Sequence, residues 1–261
     1  MIPIRYSSET KSNQLLKETP AKAGETNRQW LARIGATTGI IFLGGSSLAH
    51  FRIRVAQSQL RQDLLPSFWS LCGILSGKSS FLSVPLDLGM DVSEIPQNNG
   101  VQTCQLGDYD DPKRFPNIAV INFTDTHAPI LASAGRVRGQ RSTIDLPSLV
   151  LPWLGFVWGA GSSANPLLEG KGLPSAAFVE TAYGIAGVEL TPGLSSASSC
   201  PEAIWQSAKW WGRYYEETKR PGDEKHAGTA VPQGQYAIRQ PDAAVVEEKT
   251  VPKQPRVRKR R

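Results

Sequence analysis

The sequence predicts a mixed α/β (α+β) protein: one compact domain of short strands and turns with a C-terminal aromatic helix, preceded by an apolar N-terminal helix and followed by a disordered basic tail. Three observations lead there. The segment Asn117–Thr124, NIAVINFT, is β-branched, aromatic and free of formal charge, as a strand covered on both faces requires. The segment beginning at Ser199 carries an S-x-x-E helix-start pattern and an apolar stripe at helical spacing. The 19 prolines and 24 glycines are scattered and divide the remainder into short elements.

Taken in order, residues 1–25 are polar and of mixed charge, and read as a flexible lead with no cleavable signal peptide. Thr26 and Gln29 form a T-x-x-Q pattern that opens a helix. Trp30, Leu31 and Ile34 carry that helix into the uncharged run Ile34–Ala49, so the apolar helix is expected over 26–50. The run is shorter than the ~20 residues a spanning helix needs. Arginines nevertheless flank it at both ends: Arg28 and Arg33, then Arg52 and Arg54. It is therefore a candidate single-pass membrane anchor, with a buried glycine-rich helix of a soluble cytoplasmic protein as the alternative. The equal arginine counts give no orientation.

The globular domain is expected over 51–218. Residues 51–65 read two ways: FRIRV alternates like a strand, while Val55, Leu60 and Leu64 suit a helix face, and Pro66 ends either element. Residues 67–106 give short apolar pieces, with a turn at 96–100. Leu146–Leu168 carries no formal charge, but Pro147, Pro152 and Pro166 with Gly155, Gly159 and Gly161 predict a loop-rich core segment rather than a regular helix. Residues 172–194, punctuated by Gly184, Gly187 and Gly193, predict short strands or turns. In the helix that follows, Ile204, Ala208, Trp211 and Tyr215 share one face. Trp205, Trp210, Trp211, Arg213 and Tyr214 are either its core contacts or a partner-binding face. Beyond it, 219–261 holds a single aromatic residue, Tyr236, and is expected to be disordered.

Charge narrows the functional classes. The chain has 29 basic and 23 acidic residues; removing the six basic residues of Lys253–Arg261, which contains no acid, leaves 23 against 23. That balance argues against a basic nucleic-acid-binding domain. An anionic partner, lipid or nucleic acid, would have to meet the tail through Lys253, Arg256, Arg258, Lys259, Arg260 and Arg261. Cys72, Cys104 and Cys200 lie far apart without a C-x-x-C, which points to buried thiols rather than a disulfide framework.

The sharpest chemical pattern follows the Asn117 strand. The sequence VINFTDTHA, Val120–Ala128, resembles the opening of the calcineurin-like and 5′-nucleotidase dimetal phosphoesterases, a strand followed by D-x-H. The resemblance implies Asp125 and His127 as ligands of a divalent metal that activates water in a metal-dependent hydrolase. The G-N-H and the further histidines of such enzymes are missing, the remaining histidines being His50 and His226. Asp108 and Asp110 form a second carboxylate cluster able to wrap a hard cation. The length of the strand opposes their meeting Asp125. No phosphate loop, dinucleotide fingerprint or nucleophile elbow is present. With no complete catalytic set, no cofactor is expected. The sequence favours a membrane-associated, non-enzymatic assembly or scaffold protein with a protein partner. A phosphoesterase-type hydrolase and a nucleic-acid-binding accessory protein acting through its tail are the alternatives.

Overall fold

The computed structural model of the chain describes residues 16–86, 100–139, 145–159, 163–218 and 232–240. It is a mixed α/β protein built on one seven-stranded sheet with six helices. In chain order these are β1 (Leu16–Glu18), α1 (Asn27–Ile34), β2 (Ile40–Gly44), α2 (Leu48–Ala56), β3 (Leu71–Leu75), β4 (Ser80–Ser83), β5 (Gln102–Gln105), β6 (Asn117–Asn122), α3 (Ala128–Gly139), α4 (Leu146–Trp158), α5 (Pro174–Ile185), α6 (Pro201–Thr218) and β7 (Gln233–Ile238). The strands lie in the order β1-β7-β6-β2-β3-β4-β5. Every neighbouring pair is antiparallel except β1 with β7.

Strand alternation splits the core in two. Ile40, Phe42, Cys72, Ile74, Ala119 and Ile121 face a layer made by α2–α6. Ile41, Leu43, Leu71, Leu75, Ile118 and Val120 face the opposite way, under Trp30 and Leu31 of α1 and the segment ending at Phe115. This is the period of two expected of strands buried on both faces. β6 behaves as its composition demands: it pairs with β2 on one side and β7 on the other, and only Asn122 escapes full burial.

The N-terminal helix begins where expected but does not continue. Thr26 caps α1, and its reciprocal bond with Gln29 is complete. Gly35 then adopts a left-handed conformation, φ +69°, and closes the helix. Gly39, φ +104°, passes so close to Asn122 that a Cβ there would strike its carboxamide. The following IIFLG is β2, a fully buried inner strand. The expected apolar helix over 26–50 is thus corrected to helix, strand and a second helix start at Ser47, whose side chain accepts the His50 N–H. Among the described residues no helix is long and apolar enough to cross a membrane.

Three further expectations give way. Leu146–Trp158 is a helix despite Pro152, because Pro147 occupies the tolerated first turn and Leu149, Val150, Trp153, Leu154 and Val157 bury one side. Pro174–Ile185 is also a helix, and its small residues Ser175, Ala176 and Ala177 are buried against the sheet. Of the expected disordered stretch 219–261, Gln233–Ile238 is instead a strand inside the sheet, between β6 and β1. Arg239 anchors its end by donating to Asn27 Oδ1 at 2.7 Å, to Pro116 O and to Glu25 O. The domain therefore extends from Leu16 to Gln240, beyond the expected 51–218 and across the expected lead at 1–25. The tail Lys253–Arg261 lies outside the described residues.

Candidate functional site

The D-x-H residues sit at the end of β6, as the strand pattern implied. Asp125 is exposed. His127 Nε2 lies 2.9 Å from the Leu75 carbonyl, so the ring is held by backbone. Asp108 and Asp110 lie toward the other end of the strand. Asn27 Nδ2 binds both the Tyr109 and Phe115 carbonyls, which places this turn beside the entry to β6. Six residues of strand, roughly 20 Å, separate the two groups. Asp110 is paired with Arg28, both at its backbone N–H and at its guanidinium, 3.3 Å away. Among the described residues no three His, Cys, Asp or Glu side chains gather where a metal ion could be held.

The three cysteines are buried and unpaired. Burial pushes the Cys104 thiol up to about 11, the Cys200 thiol up to about 12 and the Cys72 thiol upward as well. Burial thus disfavours the thiolate form of all three. The buried carboxyls are structural. Glu180 accepts from the Thr191 hydroxyl at 2.6 Å and the Ser199 hydroxyl at 2.9 Å, and burial raises its pKa. Glu202 accepts from Ser67 Oγ and Gln206 Nε2, while its own N–H donates to Gln57 Oε1. At the start of α6 the Ser199 hydroxyl is thus spent on Glu180, while the Glu202 N–H is met by Gln57 from the end of α2 and the Cys200 thiol accepts from the Ala203 N–H.

The aromatic helix divides between core and surface. Trp205 is buried, with its ring 4.9 Å from Trp69 and 5.4 Å from Tyr236. It belongs to the core, which corrects its assignment to a partner-binding face. Trp210 is 54% exposed and its ring meets that of half-buried Trp211 at 4.7 Å. The side chains of Arg213 and Tyr214 lie outside the described residues.

A further feature of the described residues is apolar and lies elsewhere. α2 and α4 pack together, joined by Arg52, which donates to the Val157 carbonyl, and Asn165, beyond the end of α4, donates to Ala56 O. Their buried sides are Ile53 and Ala56 on α2 and Trp153 and Val157 on α4. On the outside, Leu48 and Val55 stand two turns apart on α2, and Leu151 and Trp158 two turns apart on α4. Leu151 is 68% exposed and Trp158 50%. Leu64, Leu65 and Leu168 are exposed in the short segments that follow each helix. The spacing of seven was present in the sequence. It was hidden because α4 was read as a loop and α2 had two readings.

Comparison with protein-family models, curated proteins and solved structures finds no match to this chain.

Proposed function

We propose that the protein is a non-enzymatic assembly protein that docks through the outer face of α2 and α4 onto a second copy of itself. The observation that carries this reading is the exposure of Leu48 and Val55 on α2 and of Leu151 and Trp158 on α4, two helices that pack together. Exposed leucines occur singly on most protein surfaces. A row of them with a tryptophan, on helices already packed together, is the kind of patch that marks an interaction site.

The charges around the face favour protein over an anionic membrane. Asp63 is paired with Arg61 at 2.6 Å and Glu169 with Lys171 at 2.9 Å, while Arg52 donates to the Val157 carbonyl. With Arg52 as the cation left over, the border lacks the basic cluster that draws a protein to anionic lipid and repels an identical copy only weakly. Identical faces closing on each other are also the commonest route to a finite assembly.

Cysteine cross-linking tests the reading. Leu48, Val55, Leu151 and Trp158 are replaced singly by Cys in the full chain, with Arg136→Cys on the exposed side of α3 as control. Oxidation is expected to give covalent dimer from at least one of the four, well above the control. No dimer above control from any of them overturns the proposal. Should the unmodified chain instead remain single and float with lipid vesicles, the face belongs to a membrane surface.

A further inference from the structure

A second feature, independent of the α2/α4 face, lies on the opposite side of the sheet. α1 does not cover the end of the sheet formed by β1, β7 and β6, and a cleft of about 300 Å³ remains there. Its walls are Lys17, Gln233, Gln235 and Asn122, and its apolar floor and rim are Val120, Ile34 and Ala36. The strand register puts Lys17 directly opposite Gln235, and Gln235 opposite Val120. A side chain at Gly234 would strike the Val120 carbonyl, so that strand pairing is fixed.

The polarity of the cleft is one-sided. Thr19 donates its hydroxyl to Gln235 Oε1 at 2.9 Å. Thr38 reaches Asn122 Oδ1 at 3.5 Å. Each threonine occupies the acceptor end of a carboxamide and leaves its NH2 donors unspent. The Lys17 ammonium adds three more donors. No Asp or Glu is among the lining residues. A site rich in donors, with one cation and a short apolar floor, matches an acceptor-rich anion with a small apolar body. α1 ends at Ile34 on the rim. The partial negative charge of a helix C-terminus disfavours any anion there, a doubly charged phosphate more than a singly charged carboxylate.

We infer that this cleft binds a small organic carboxylate, with Lys17, Asn122 and Gln235 donating to the carboxylate and Val120 and Ile34 against its apolar part.

Nuclear magnetic resonance of the ¹⁵N-labelled full chain tests it, with sodium butyrate as probe and butyramide and inorganic phosphate as comparators. Butyrate is expected to give saturable shifts of the side-chain NH2 signals of Asn122, Gln233 and Gln235. The amide and phosphate are expected to bind about tenfold more weakly or worse. Lys17 is exposed on an edge strand, so Lys17→Met should leave the other signals in place while weakening butyrate about tenfold. Thr19→Val, which frees the Gln235 carbonyl to compete, should weaken it as well. The assignment is overturned by the absence of saturable shifts, by equal or tighter binding of butyramide or phosphate, or by affinity unchanged in Lys17→Met.

Discussion

His50 follows β2 in sequence, and its ring lies edge-on to Phe115, 5.2 Å between centroids. Gly45 makes room for it, since a Cβ at that position would meet the imidazole. The residue keeps some exposure, but its Nδ1 is sealed from solvent without a hydrogen-bond partner. Burial, followed by the positive charges of Arg114 and Arg54, lowers its pKa to about 4. The unfolded chain therefore binds this proton more readily than the folded one at every pH between about 6.5 and 4. Stability should fall across that window as pH falls, by at most on the order of 3 kcal/mol. Urea unfolding of the native chain and of His50→Phe checks this: the variant should lack that part of the slope, and parallel profiles would contradict it. Glu25 titrates lower. Its hydrogen bond from Arg33 is the main cause of a pKa near 2, so its contribution is present above the ordinary carboxyl range and is lost only as pH drops from about 4.5 toward 2. The two losses follow one another as pH falls, their windows meeting between about 4.5 and 4.

At the scale of elements, β7 carries the strongest prediction. It pairs along all six residues of β6, and Arg239 ties its end to α1. A chain ending after Gln240 should keep the urea midpoint of the full protein. A chain ending after Val231 should lose cooperative unfolding, because β6 would expose one edge and Ala237 and Tyr236 would leave the core. Circular dichroism during urea titration distinguishes the two. The two sides of α4 give a second contrast: Trp153→Ala should cost about 3–5 kcal/mol, whereas Leu151→Lys should stay within about 0.5 kcal/mol. β6, the start of α1 and the Ile204–Ala208 part of the α6 stripe were legible in the sequence because one local signal dominated each. β7 was not, because QGQYAI carries its strand alternation within a stretch whose composition lacks apolar mass, and its stability comes from β6 and Arg239, far away in sequence. The run 34–49 was misread because left-handed glycines, invisible in a hydropathy pattern, cut the helix before β2. α4 and α5 were misread because proline and glycine counts outweighed the long-range packing that decides them. Of the two candidate sites, the apolar face was half visible as a seven-residue spacing. The carboxamide cleft was invisible, since Lys17, Asn122 and Gln235 meet only through strand order.

The molecule as a whole is an asymmetric sandwich. Five helices cover one face of the sheet, while α1 and the segment leading to Phe115 cover part of the other. Among the described residues, the end of the thin side that α1 leaves open forms the donor-lined cleft, and the outer surface of the thick side carries the apolar face. The two lie on opposite sides of the sheet, so ligand binding and self-association should be separable: Lys17→Met should leave association unchanged. The central claim is the docking of α2 and α4 onto a second copy. Sedimentation velocity of the full chain at tens of micromolar, beside the Leu151→Lys/Trp158→Lys double variant, tests it most directly. The account predicts a species of twice the 28.4 kDa chain mass for the native protein and of 28.4 kDa for a variant with an unchanged circular dichroism spectrum. A native protein that sediments at 28.4 kDa, or a folded variant that still pairs, would contradict it.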